Sequence, residues 1–155
     1  MLDDLRELYQ EVILDHSRSP RNFGRPKQPT CQAEGHNPMC GDALCVFLVV
    51  DDRDVIEDAA FEGKGCAISV ASASLMTEVL KGKTVAEAAR LFDAFHRLCT
   101  TGNPDPDGPD SDTDQLERMQ VFSGVRAFPI RIKCATLAWH AMKAALKGEA
   151  EATSE

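Results

Sequence analysis

Apolar positions along the chain follow a helical period at both ends and a strand-like period in one early block. Leu2, Leu5, Leu8, Val12 and Ile13 recur at helical spacing, which predicts an amphipathic helix over residues 3–16. It stops in HSRSPRNFGRPKQP, where Pro20, Gly24, Pro26 and Pro29 interrupt regular structure. Residues 43–50, ALCVFLVV, are apolar without a break, as in a strand covered on both faces. A polar turn at 51–54 leads into VIEDAAFEG, whose alternation predicts a returning antiparallel strand. A short strand around residues 32–36 would complete a sheet of about three strands.

After Cys66 the period becomes helical again. Ile68, Ala71, Leu75 and Val79 share one helix face, which Gly82 terminates. Thr84 and Glu87 have capping-box spacing and start a helix that runs through Val85, Ala88, Leu91, Phe92 and Phe95 to about Leu98. Residues 100–113 read as an acidic flexible loop, and residues 114–122 as a short helix. Pro129 suits the first turn of a last long helix ending at Gly148, with a disordered tail at 149–155. Strands first and helices afterwards predict an α+β fold, a small antiparallel sheet with helices packed on it, in a single domain over residues 1–148.

Composition narrows the partners. The chain has 155 residues, 43% of them hydrophobic, and a formal net charge of −8. That charge argues against nucleic acid or an anionic membrane as the main partner. No apolar run is long enough to span a membrane, and the acidic start MLDDLRELYQ is unlike a signal peptide, so a cytoplasmic protein is expected.

In a reducing compartment, the six cysteines call for metal ligation, reactive thiols or core packing rather than a disulfide framework. Cys45 sits inside the apolar strand and Cys99 at the end of a helix, so both read as small buried hydrophobes. Cys31, in a proline-rich stretch, reads as a surface thiol. Three others stand at element boundaries. Cys40 precedes Gly41 and Asp42, and residues two apart in extended chain share a face, so Cys40 and Asp42 can converge while Gly41 allows a tight bend. Cys66 lies at a helix N-terminus, whose dipole favours a thiolate, and Cys134 stands beside Arg131 and Lys133, which are expected to do the same. A shared metal site of Cys40, Asp42, Cys66 and Cys134 is one reading and separate structural cysteines another, because ligands this far apart have no diagnostic interval.

Three segments together carry a resemblance: NPMCGDALCVFLVVDD, IEDAAFEGKGCAISVASASLMTEVLKGKT and GVRAFPIRIKCATLAWHAM. In this order they resemble the iron–sulfur cluster assembly proteins of the IscU/NifU-N type, specifically the SufU-like branch. The resemblance implies a sheet-and-helix IscU/SufE-like fold and maps the family's metal or cluster ligands onto Cys40, Asp42, Cys66 and Cys134. Scaffold-type members carry a histidine directly before the last cysteine and an upstream Leu-Pro-Pro-Val-Lys motif. Here Lys133 takes the histidine's place, the motif is absent, and the segment before FPIRIKC is longer.

The resemblance therefore implies a zinc-containing acceptor of persulfide sulfur, a sulfurtransferase working with a SufS-type cysteine desulfurase and the iron–sulfur assembly machinery. Cys40 would be the acceptor, with a desulfurase histidine replacing it on zinc, Gly41 giving the loop freedom, and Lys133 and Arg131 offsetting negative charge. The rival readings are a scaffold holding iron or a [2Fe–2S] cluster on Cys40, Cys66 and Cys134, and a structural zinc interaction domain. Asn103, Asp105, Asp107, Gly108 and Asp114 match a calcium-loop template only superficially, since prolines interrupt it and its twelfth residue is not glutamate. His16, His36, His96 and His140 receive no ligand role from sequence.

Overall fold

The computed structural model describes residues 2–101 and 118–153. A first helix, α1 (Leu2–Arg18), is followed by a three-strand meander: β1 (Cys31–Asn37), β2 (Asp42–Val50) and β3 (Ile56–Lys64). Helices α2 (Ala67–Leu80) and α3 (Val85–Thr101) come next. A 3₁₀ segment (Gln120–Ala127), α4 (Pro129–Leu146) and a short β4 (Glu151–Thr153) close the described chain. The expected α+β architecture is present.

The sheet runs β3-β2-β1-β4, with β1–β2 and β2–β3 antiparallel and β4 parallel to β1. It is thus a mixed sheet of four strands, not a purely antiparallel one of about three. The extra strand lies in the segment expected to be disordered: Glu34 pairs with Glu151, and the Glu34 N–H donates to the Ala150 carbonyl at 2.8 Å. Its pairing covers the free edge of β1, an edge that would otherwise offer unpaired backbone groups. The opposite edge is covered too. In the proline-rich stretch expected to lack regular structure, Phe23 bridges Phe61, with Gly24 N–H bonded to the Phe61 carbonyl and Phe61 N–H to the Asn22 carbonyl.

Alternation sorts the strands by face. Ala33, Leu44, Val46, Leu48, Ile56, Ala59 and Phe61 turn inward and are buried beneath α2 and α4. Phe47 points outward yet is also buried, with the Arg25 guanidinium 4.9 Å from its ring centroid. This explains the unbroken apolar run in β2. Helix α2 is buried nearly all round, with Ser69, Ala71, Ser72, Ala73 and Ser74 letting neighbouring elements approach closely.

Trp139 of α4 stacks on Phe95 of α3 at 4.6 Å between centroids, and its indole N–H donates to Ser72 Oγ of α2 at 3.2 Å. Ser72 in turn donates to the Ala135 carbonyl, so one buried serine ties α2 to α4 one residue from Cys134. The expected helix at 114–122 and loop at 100–113 fall largely outside the described residues. Of that helix, residues 118–119 are described and are α-helical, and from Gln120 the chain tightens into the 3₁₀ segment. The calcium-template residues also lie outside them.

Candidate metal and thiol site

Three boundaries of the fold converge at one end of the sheet. Residues 38–41 connect β1 to β2, and the Cys40 N–H closes that turn on the Asn37 carbonyl at 3.2 Å. Gly41 has φ +69, a left-handed conformation that favours glycine, and nothing lies within 4 Å of where its Cβ would be. The turn therefore bends tightly and leaves Cys40 exposed. Asp42, at the first position of β2, turns inward and is 2% exposed.

Cys66 is the N-cap residue of α2, and its side chain makes no capping bond. Its backbone N–H instead donates to Asp42 Oδ1 at 2.8 Å, so a carboxylate from β2 stabilises the start of the helix. Gly65 is what allows this approach: a Cβ there would stand 2.8 Å from Asp42 Oδ1 and closer still to Ser69 Oγ. Cys134 lies in the second turn of α4, 2% exposed.

Across these elements Cys134 Sγ stands 3.3 Å from Cys40 Sγ, too far for a disulfide bond of about 2.05 Å. All six cysteines are free thiols. One potential ligand atom each from Cys40, Asp42 and Cys134 falls within a mutual distance of 4.8 Å. Cys66 is outside that set of three, and its backbone N–H reaches the set through Asp42 Oδ1. Thus the structure groups the ligand atoms of Cys40, Asp42 and Cys134, and joins Cys66 to them through its backbone.

One expectation is reversed. Arg131 and Lys133 do not lower the Cys134 pKa; burial pushes that thiol up first, and contacts with Cys40, Cys66 and Asp42 push it further. The reason is geometric: Arg131 is exposed, whereas Cys134 is enclosed among other acid groups. In the absence of a cation such an enclosure opposes ionisation of its own thiol. Thiols and a carboxylate are a donor set that suits zinc, whose charge would favour the ionised form of the thiols.

Sequence reasoning missed Asn37. It is 1% exposed at the end of β1, with its Nδ2 3.5 Å from Asp42 Oδ2 and 3.6 Å from Cys134 Sγ. A polar residue at an inward position of the strand next to NPMCGD was the available signal. The other cysteines fall elsewhere. Cys99 is fully buried, and burial pushes its thiol up to about 12. Cys45 is half-buried on the outer face, where burial, then Glu34 and Glu62, raise its pKa. Cys31 packs partly against the core instead of lying free on the surface, and burial raises its pKa as well.

Among the histidines, His16 is buried, with Nδ1 2.7 Å from Ser74 Oγ, and so fastens α1 to α2. His140 packs edge-on against Phe92 at 5.2 Å. His36, Glu34 and Glu151 form an exposed group, with His36 and Glu34 paired at 3.4 Å. No described helix is long and apolar enough to cross a membrane.

The chain belongs to the NifU-like N-terminal domain family, whose profile matches residues 8–110. It is 39% identical over 140 residues to the zinc-dependent sulfurtransferase SufU of Bacillus subtilis, covering 90% of each chain. It is 40% identical over 151 residues to the iron–sulfur cluster assembly scaffold protein IscU of Streptococcus pyogenes, covering 97% of this chain and 90% of that protein. The crystal structure of the N-terminal part of a nitrogen-fixing NifU-like protein from Brucella abortus superposes with a TM-score of 0.78 at 28% identity, covering 96% of both chains. The kinship expected from the three sequence segments is established.

Proposed function

We propose that this protein serves iron–sulfur cluster assembly as a zinc-containing acceptor of persulfide sulfur, with Cys40 as the accepting thiol and Cys40, Asp42, Cys66 and Cys134 as the metal-holding set. The observation that carries the reading is the contrast within one cluster: Cys40 is exposed on a turn, whereas Cys134, 3.3 Å away, is buried in a helix. Only the former can meet a sulfur carried by another protein. The similarity to a zinc-dependent sulfurtransferase of B. subtilis supports the same choice.

Zinc, when bound, supplies the charge that keeps its cysteine ligands deprotonated. The chain's own groups do the rest. The turn at Gly41 presents Cys40, while Asp42 is held at Oδ1 by the Cys66 N–H. The Cys40 thiolate attacks the outer sulfur of the donor persulfide; the donor's S–S bond breaks, and its electron pair leaves on the donor sulfur as a thiolate. Met39, Phe128 and Ile130, exposed by 69%, 57% and 51%, flank the two cysteines in sequence and offer apolar surface to a protein donor such as a cysteine desulfurase.

Cys40→Ser tests the reading. It should abolish stimulation of the partner desulfurase while leaving the fold intact by circular dichroism, and unchanged stimulation would remove Cys40 from the acceptor role.

A further inference from the structure

We propose that Asn37 is a positioning residue for this site: its buried amide holds Cys134 and Asp42 in place and so favours sulfur acceptance at Cys40 over Cys134. The inference rests on the reading of Cys40 given above. Asn37 and Asp42 are directly opposed in the β1–β2 register, at the end of the hairpin. Alternation along β1 points residues 33, 35 and 37 toward the core, where an apolar side chain would be the ordinary choice. An asparagine there must find hydrogen-bond partners, because a primary amide taken out of water without them is destabilising.

The partners it finds are Asp42 Oδ2 at 3.5 Å and Cys134 Sγ at 3.6 Å. A carboxylate and a thiolate are acceptors, so the edge of the amide that faces them is the NH₂ edge, and its two hydrogens match two acceptors. Two consequences follow. The Asp42 carboxylate is fixed at both oxygens, Oδ2 by β1 through Asn37 and Oδ1 by the Cys66 N–H at the start of α2. And the Cys134 sulfur receives an N–H donor, whereas no amide is bonded to the Cys40 sulfur among the described residues.

An N–H bond to a thiolate engages one of the sulfur lone pairs and lowers its nucleophilicity. Cys134 is therefore enclosed and bonded to an amide, whereas Cys40 is exposed, its sulfur paired only with that of Cys134 among the described residues. When Cys40 leaves the site to form its new S–S bond, with the donor sulfur departing as a thiolate, the two groups that Asn37 holds stay where they were. Hydrogen bonds of this kind orient metal ligands and govern how firmly a metal is kept.

The test compares zinc-loaded wild type with Asn37→Leu, similar in shape but without donors, and Asn37→Ser, whose single hydroxyl hydrogen can serve one acceptor of the two. Zinc release to an excess of chelator should accelerate about tenfold or more in Asn37→Leu, as is typical when a hydrogen bond to a metal ligand is lost, and by less in Asn37→Ser. After incubation with desulfurase and cysteine, peptide mass spectrometry should find sulfur on Cys40 alone in wild type and on Cys134 as well in Asn37→Leu. A merely structural role would lower Tm while leaving release and sulfur position unchanged. Wild-type release with sulfur on Cys40 alone in both variants overturns the proposal, as does that result in Asn37→Ser alone should Asn37→Leu fail to fold. Absence of sulfur from wild type would instead refute the role of Cys40, and the release rates would still decide that of Asn37.

Discussion

Gly65→Ala places one methyl group where the site has no room for it. An alanine Cβ would stand 2.8 Å from Asp42 Oδ1 and closer still to Ser69 Oγ. Neither neighbour is free to yield: Asp42 Oδ1 accepts the Cys66 N–H at 2.8 Å, and Ser69 donates to the Cys66 carbonyl at 3.0 Å, both from buried positions. Overpacking of this kind costs about 1–3 kcal/mol. Displacing the carboxylate from its N–H partner costs a further ~1.5–3 kcal/mol, part of which is the same displacement counted twice, so we take about 3 kcal/mol in total.

For a domain of this length that corresponds to a fall in Tm of about 6–12 °C. Thermal unfolding followed by circular dichroism measures it, with metal content determined in parallel. The double variant Gly65→Ala, Ser69→Ala removes the closer obstacle and should recover part of the loss while leaving metal retention impaired, because the clash with Asp42 remains. A Gly65→Ala protein that melts within about 1 °C of wild type, too little for a clash of this size, and keeps its metal would refute the packing account of the β3–α2 junction.

Two further outcomes are expected. Burial first, then Arg21, hold the His16 imidazole below its ordinary pKa of 6.5, with Arg118 acting in the same sense and Glu78 and Asp15 against it. The folded state thus favours the neutral ring and the unfolded chain takes up the proton first, so stability is full above pH 6.5 and is lost as pH falls from there through the lower folded value. His16→Gln should flatten the acid limb of a Tm-against-pH series, and parallel limbs in the two proteins would contradict this. In metal-free native protein, an alkylating reagent at pH 8 should label Cys40 first and spare Cys99, whose thiol is pushed up to about 12, until denaturant is added. Early labelling of Cys99, read by peptide mass spectrometry, would contradict its burial.

Local signals in the sequence transferred well because local chemistry determines them. The Thr84–Glu87 pair forms both reciprocal capping bonds, Glu87 N–H to Thr84 Oγ1 and Thr84 N–H to Glu87 Oε1. Pro129 stands in the first turn of α4 as its missing N–H allows. Strand β2 begins one residue before the expected run, at Asp42, because hairpin pairing with Asn37 fixes its end where hydropathy does not.

What escaped was non-local. Glu151–Thr153 has no strand-like composition; it is ordered by the free edge of β1, which becomes available only once the sheet exists. The environment of Cys134 was misjudged because neighbours in sequence, Arg131 and Lys133, counted for less than Asp42, Cys40 and Cys66, which the fold brings to it. Asn37 gave only an oddity of pattern, and its two partners sit 5 and 97 residues away. The grouping of Cys40, Asp42 and Cys134 was legible through the family resemblance, and its asymmetry between an exposed and an enclosed thiol was not.

The most direct measurement of the proposed role is to incubate the zinc-loaded protein with a cysteine desulfurase and cysteine, then locate newly acquired sulfur by intact and peptide mass spectrometry under non-reducing conditions. A single added sulfur on the peptide containing Cys40, absent from Cys40→Ser, is the predicted result. Sulfur on another cysteine, or none while the desulfurase turns over, would contradict it.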